Sequence, residues 1–359
     1  MNRTSIPPLQ TGPTVWYGPD IASREDEWLI HLTNTEIYEL EAAAEQIIGK
    51  GSNIGLMDQT QFNLPTLGSK IIALRDELIN KRGFFLLRGL PVGNYSECEA
   101  TTIFYGIGTY LGNARSQNAN GHVLGHVCNL DVNSRDPKVR YYQTNERQTF
   151  HTDSCDVVGL LCILPAKEGG VSLLVSGDTV FNEIHKRNPH LLEILVDPIA
   201  TDRRGEVPEG MLPYLLIPVF SFFKNRITTF YQRQYIESAQ RFEDAPPLTL
   251  RHLEALDLFD ELCNSSEFNF SMMLQEGDMQ FVYNHALLHD RTAFVDWPEI
   301  EKRRHLLRLW LSIPGDRHLP EVFATRYGSV EIGNRGGIVV PGTEFCVPSL
   351  DDLINRNNN

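Results

Sequence analysis

Gly277-Asp278-Met279-Gln280-Phe281-Val282-Tyr283-Asn284-His285-Ala286-Leu287-Leu288-His289-Asp290-Arg291 can be read in two ways, and the choice decides the fold. His285 and His289 are four apart, the spacing of a helical zinc pair. Ala286, however, stands where the general-base Glu of H-E-x-x-H belongs. Gly277-Asp278 reads as a turn, and Met279 to Tyr283 as the apolar run of a buried strand. The helical reading is rejected. One of the two histidines is then expected as a metal ligand and the other as its neighbour.

Working outward, similar short runs recur. They lie at Phe84 to Pro91, Lys138 to Tyr142, Val157 to Leu164, Val171 to Val175, Arg226 to Tyr231, Phe268 to Leu274 and Leu306 to Ile313. Helical spacing is confined to a few places. Thr33 and Glu36 form a capping box ahead of Ile37, Leu40, Ala44 and Ile47, with Gly49 and Gly51 as the stop. A second helix runs through Ile71, Leu74 and Leu78 and stops at Gly83. Others are expected near 96–111, 177–188 and 249–264. Residues 1 to about 30 read as an extended arm, and 111–131 as a loop. Helices do not alternate with strands as a parallel sheet requires. The expected class is mainly β with flanking helices (α+β), an antiparallel sandwich or jelly roll.

The chain has 359 residues, 42% apolar and 22% charged, with a formal net charge of −14. That balance argues against a nucleic-acid partner or an anionic membrane surface. No stretch approaches the roughly 18 to 20 apolar residues of a membrane span, and the first residues lack a signal-peptide pattern. A cytoplasmic location is expected, with Cys98, Cys128, Cys155, Cys162, Cys263 and Cys346 reduced, since none forms a C-x-x-C pair. The glycosylation sequons at Asn2 and Asn264 carry little weight in such a chain.

Three features carry chemistry. In Phe150-His151-Thr152-Asp153, an H-x-D triplet on a strand points His151 and Asp153 to one side. Alone it is weak, because the triplet recurs by chance. The second feature is His285 or His289. The third is Arg303-Arg304-His305-Leu306-Leu307-Arg308-Leu309-Trp310-Leu311. As a strand, it shares Arg304, Leu306 and Arg308 on one face. An inward arginine among apolar residues needs an anionic partner, and its fork fits a carboxylate. Two histidines and a carboxylate make the facial triad of non-haem Fe(II) oxygenases, and the arginine suits a 2-oxo acid.

With these residues in hand, the chain resembles the TauD/TfdA-like (taurine dioxygenase) family of Fe(II)/2-oxoglutarate-dependent oxygenases. The resemblance covers roughly Gly83 to Pro314. It rests on G-F-F-L-L-R-G-L-P (83–91), F-H-T-D-S (150–154), G-G-V-S (169–172), N-H-A-L-L-H-D-R-T-A-F (284–294) and R-H-L-L-R-L-W-L (304–311). It implies a double-stranded β-helix (jelly-roll) core over 83–359, with 1–82 as an arm and helices packed on it. His151, Asp153 and His289 match the metal ligands. Arg304 matches the arginine that pairs with the 2-oxoglutarate C5 carboxylate, and Ser172 the hydroxyl residue, usually Thr, that shares it. Arg308 matches a position that reaches the prime substrate.

The resemblance further implies cofactors, Fe(II) and 2-oxoglutarate, and a reaction with O2. That reaction oxidises a C–H bond of a small molecule by hydroxylation, desaturation or cyclisation, with succinate and CO2 released. An amino acid, another carboxylate or a specialised-metabolite intermediate is the expected substrate, and Tyr142 and Asn129 join Arg308 as candidate contacts. Gln117, His122 and His126 share the 111–131 loop with Asn129. Trp297 and Trp310 read as packing residues, and Phe220, Phe222, Phe223, Phe230 and Tyr231 as core. The rivals are a 2-oxoglutarate-independent metalloenzyme with the same triad and a catalytically silent jelly-roll binding protein. A homo-oligomer is left open.

Overall fold

A computed structural model describes residues 6–132, 140–208, 210–340 and 342–357. Two sheets, antiparallel except for one edge pair, position everything that follows. The large sheet runs Leu29–His31, Phe84–Arg88, Met279–Tyr283, Val157–Leu164, His305–Ser312 and Asn113–Ala114, with Leu124–Cys128 also paired to His305–Ser312. The small sheet runs Asn269–Met272, Ser172–Ser176, Leu287–Arg291 and Gln148–His151.

The large sheet is covered on both faces, which is why its strands read as unbroken apolar runs. Phe85, Leu87, Leu161, Phe281, Leu307 and Leu309 pack outward against the helices Asn34–Gly49, Leu67–Asn80 and Glu97–Leu111. Phe84, Leu86, Cys162, Val282 and Leu306 point the other way, onto Leu174, Phe270, Met272 and Leu287 of the small sheet. The small sheet in turn lays Phe150, Val175 and Leu288 against the helices Gly177–Arg187 and Leu250–Asn264. Each such buried Leu or Phe contributes about 1.5–3 kcal/mol.

The helix starts follow their caps. Thr33 accepts from the Glu36 amide at 3.3 Å, while Glu36 accepts from the Thr33 amide at 2.8 Å. Ser96 with Glu99, and Thr249 with His252, repeat the arrangement. Each cap is worth about 1 kcal/mol.

Several expectations are corrected. With a helical content of 35%, the chain is a mixed α/β structure rather than mainly β. The second helix ends at Asn80, and Gly83 uses its positive φ to enter the next strand instead. The presumed arm contains the helix Gly18–Ala22 and the strand Leu29–His31, which pairs parallel with Phe84–Arg88. Leu124–Cys128 is a strand, not a loop. The strand expected at 138–142 begins outside the described residues, as does the sequon at Asn2, and Tyr141–Gln143 is a single 3-10 turn. Phe222 and Phe223 are exposed at 38% and 39%, whereas Phe220 and Tyr231 are buried. No disulfide joins the six cysteines. Among the described residues no helix is long and apolar enough to cross a membrane.

Candidate metal and cofactor site

The inner face of the small sheet gathers polar residues at one end. Register pairs His289 with His151 on one side and with Leu174 on the other. Period 2 then sets Arg291 beside His289 on the same face, and Ser172 opposite Arg291. From the facing sheet, Leu306, Arg308 and Trp310 approach along one face of the strand His305–Ser312, with Arg304 immediately before it.

His151, Asp153 and His289 place one donor atom each within 4.8 Å of one another. Nε2 of His151 lies 3.9 Å from Asp153 Oδ1, and Nε2 of His289 lies 3.8 Å from Asp153 Oδ2. His151 donates from Nδ1 to the Thr149 carbonyl at 2.8 Å, which leaves the Nε2 lone pair facing the cluster. Gln148 lies 2.8 Å from that Nε2. Burial, then the neighbouring His151, pushes His289 down to about 3, and burial likewise lowers His151. Both imidazoles are therefore neutral at neutral pH, as ligation requires. Burial pushes the Asp153 carboxyl up, but Arg308, the two histidines and Trp310 outweigh it, so it sits below the usual range. Two neutral imidazoles and one carboxylate fit a divalent iron and leave coordination positions open.

The loop that carries Asp153 is pinned from a distance. Asn284 accepts from the Asp153 amide at 2.8 Å and donates to the Asp153 and Cys155 carbonyls. Trp310 donates its indole N–H to Asp153 Oδ2 at 2.8 Å, so it is more than a packing residue. His285 turns away: its Nε2 meets Asp156 Oδ1 at 2.8 Å in a separate buried network.

One chamber beside the cluster is lined by His151, His289, Ser172, Arg291, Arg304 and Leu306. Its electrostatics are unusual. Arg304 is 5% exposed, lies over the Phe294 ring and has no carboxylate partner among the described residues; its Nη1 is buried without any partner. Arg291 donates to the Thr144 and Glu146 carbonyls, and its Nε is also unpartnered. Burial, and then the like charge of Arg304, lowers Arg291 to about 9, and burial lowers Arg304 to about 10. Ser172 donates to Gln280 at 3.3 Å. Two such guanidiniums buried against one chamber call for an anion.

A second chamber starts at Asp153 and Trp310 and runs past Tyr142, Arg308, Tyr235 and Arg326. Arg308 stands between the two, donating to Gln117 at 2.8 Å and to Asp153 at 3.4 Å, with its guanidinium 4.5 Å from the Tyr142 ring. Asn129 is not brought in: it lines neither chamber and exchanges hydrogen bonds with Asp131 in its own turn. Gln148, Asn284 and Arg291 were not singled out from the sequence. Arg291 was findable, since it lies two residues from His289 on a strand and so shares its face.

The family model for taurine catabolism dioxygenase TauD, TfdA family matches residues 49–310, a span that begins well before Gly83 and so takes in part of the N-terminal helices. The chain is 29% identical over 326 residues to FR-33289 synthase of Streptomyces rubellomurinus, covering 89% of this chain and 95% of that one. It is 29% identical over 304 residues to the taurine hydroxylase-like protein SAT17 of Stachybotrys chartarum, covering 82% and 77%. Among solved structures, an asparagine oxygenase with Fe(II), 2S,3S-3-hydroxyasparagine and succinate superposes with a TM-score of 0.60 at 16% identity, over 79% of this chain and 93% of that one. The non-haem iron oxygenase OrfP with Fe and α-ketoglutaric acid gives 0.58 at 12%, over 79% and 93%. The chain belongs to the taurine catabolism dioxygenase TauD, TfdA family.

Proposed function

We propose that this chain is an Fe(II)/2-oxoglutarate-dependent oxygenase that oxidises a C–H bond of a small molecule, with succinate and CO2 as co-products. The observation that carries the reading is the pair of buried guanidiniums, Arg304 and Arg291, which have no carboxylate partner among the described residues and line the same chamber as His151 and His289. A dicarboxylate satisfies both demands at once: its far carboxylate meets Arg304, and its oxo-acid end reaches the metal. Bound Fe(II) would supply the O2 chemistry, oxidising the 2-oxo acid and then the substrate.

In this reading His151, Asp153 and His289 hold the iron. Trp310 and Asn284 fix the Asp153 carboxylate, and Arg304 with Ser172 orients 2-oxoglutarate. The apolar residues Val158, Leu160 and Leu306 exclude water from that chamber. Arg308 and Tyr142 face the prime substrate from the boundary between the chambers. The two facing sheets are the halves of a double-stranded β-helix, a jelly-roll core, with 1–82 and 83–359 forming one structural unit in the cytoplasm. Relatives whose names specify asparagine, hydroxyarginine, uridine-5'-phosphate or FR-33289 support an amino acid, another carboxylate or a specialised-metabolite intermediate as substrate.

Anaerobic titration of the apoprotein with Fe(II) and then 2-oxoglutarate tests the proposal. A weak visible charge-transfer band should appear only with the oxo acid and vanish in His151→Ala. Iron binding without that band would favour a 2-oxoglutarate-independent metalloenzyme. No iron binding would favour a silent binding protein.

A further inference from the structure

The second chamber has its own charge pattern, distinct from that of the cofactor wall. Most of its ionic groups are paired within the protein. Arg140 meets Glu206 at 2.6 Å, and Asp202 receives Arg241 and Ser238. Arg308 is spent on Gln117 and Asp153.

Two groups stand apart. Arg326 donates from Nε to Ser154 Oγ at 2.7 Å, yet no carboxylate lies within 4.0 Å of it among the described residues. Glu206 spends Oε1 on Arg140 and keeps Oε2 buried without a partner among the described residues. Arg203, buried nearby, is lowered first by burial and then by the charge of Arg326.

Arg326 is also held firmly. It lies in the short helix Ala324–Tyr327, beyond the residues matched by the family model. Tyr327 is buried, with its hydroxyl 3.3 Å from the Cys155 carbonyl. The chain then returns through Gly336 and Gly337, where the Gly337 amide donates to the Ser154 carbonyl at 2.7 Å. Both glycines have φ near +80°, and a Cβ on Gly336 would stand 2.8 Å from that same carbonyl. The segment bearing Arg326 is thereby stitched to the residue next to Asp153.

With Nε committed to Ser154, the side-on fork of Arg326 is closed and its two Nη groups remain. That end-on pair matches two oxygens of one oxyanion. Resting on the oxygenase reading above, we propose that Arg326 reads the prime substrate by gripping a carboxylate, sulfonate or phosphonate, while Glu206 Oε2 accepts from a donor, such as an ammonium, on the same molecule. The substrate is then an anion with a hydrogen-bond donor at its other end, and a residue outside the family-matched span selects it.

The test uses the whole chain loaded under nitrogen with Fe(II) and 2-oxoglutarate, so that Arg304 and Arg291 are already occupied. Acetate, methanesulfonate and methylphosphonate are titrated in by calorimetry. At least one should bind, about tenfold or more weakly in Arg326→Gln, with partial recovery in Arg326→Lys and no change in the distant surface variant Arg251→Gln. The anion that binds best identifies the class. 3-Aminopropylphosphonate should bind more tightly than propylphosphonate, and Glu206→Gln should remove only that gain. The charge-transfer band in each variant reports an intact iron site. Loss of the band in the wild type would sink the oxygenase reading. A band with no anion binding, or with equal binding in Arg326→Gln, would overturn the assignment of Arg326. An equal gain in Glu206→Gln would overturn that of Glu206.

Discussion

Two clusters of histidine and aspartate lie side by side in this molecule, one with two histidines and one aspartate, the other with the reverse. His151, Asp153 and His289 form one; Asp156, His285 and Asp316 form the other, and each set of donor atoms falls within 4.8 Å. The same two motifs feed both. H-T-D-S-C-D supplies Asp153 to the first and Asp156 to the second, and N-H-A-L-L-H supplies His289 and His285. In the second cluster the protein provides its own cation. Arg335, fully buried, donates Nε to Asp156 and Nη2 to Asp316, each at 2.8 Å, and its Nη1 reaches the Arg317 carbonyl. Ser312, Ile313 and Tyr283 take the remaining carboxylate oxygens. In the first cluster the nearest protein cation is Arg308, at 3.4 Å from Asp153. The second cluster is closed by a fully buried arginine that bridges both of its carboxylates, whereas the first has only the longer Arg308 contact to its single one.

The comparison breaks most visibly at Arg335. Arg335→Leu leaves Asp156 and Asp316 as buried charges with only a neutral His285 between them. Loss of one partner from a buried network costs about 3–5 kcal/mol, so the urea midpoint should fall steeply, or the protein should fail to accumulate. A loss under about 1 kcal/mol would show that the second cluster is not closed by its arginine.

The opposite result is expected at the open site. Arg304→Ala removes a guanidinium that forms no ion pair among the described residues, so stability should hold or rise. Binding of 2-oxoglutarate should weaken about 10- to 100-fold, the loss of a charge-assisted pair. A matched pair of measurements, urea midpoint and charge-transfer titration, separates the two. Equal loss in both would make Arg304 a structural residue.

How far each cluster was legible in the sequence follows from distance along the chain. The helices announced themselves through local caps such as Thr33 with Glu36, and the large sheet through apolar runs buried on both faces. Leu124–Cys128 was missed because Gly125 and His126 interrupt its apolar pattern, and the buried His126 is satisfied only by distant partners, His305 and the Pro348 carbonyl. His151, Asp153, His289 and Arg304 sit in short motifs whose spacing carries their chemistry. The choice between His285 and His289 was not local: it depends on Arg335 and Asp316 arriving to close one cluster. Trp310 and Arg326 were hidden for the same reason, since each acts on the H-x-D loop across more than a hundred residues of chain.

A smaller effect sharpens the role of Trp310. Trp310→Phe keeps a ring beside Arg308 but deletes the N–H donated to Asp153 Oδ2. Fe(II) affinity, measured against a competing chelator, should fall about tenfold, as expected for an outer partner of a metal-ligating carboxylate. Unchanged affinity would return Trp310 to packing alone.

The smallest expected effect concerns two buried imidazoles that form no ion pair with a carboxylate among the described residues. His126 and His305 stack with ring centroids 5.0 Å apart, and His126 Nδ1 lies 2.8 Å from His305 Nε2. Burial, then His126 and Arg304, pushes His305 down to about 3, against about 6.5 in an unfolded chain. Above about pH 6.5 neither state binds the proton, and His305 leaves stability independent of pH. Between about 6.5 and 3 the unfolded chain binds a proton that the folded one refuses, so stability falls on acidification. For one group the slope is at most about 1.4 kcal/mol per pH unit. His305→Gln, which cannot titrate in this range, should flatten the fall of the urea midpoint in metal-free protein between about pH 6.5 and 5 by up to one proton's worth. An unchanged slope would mean that His305 takes up its proton inside the fold, and that a buried imidazole here tolerates charge without the aspartates that surround His285.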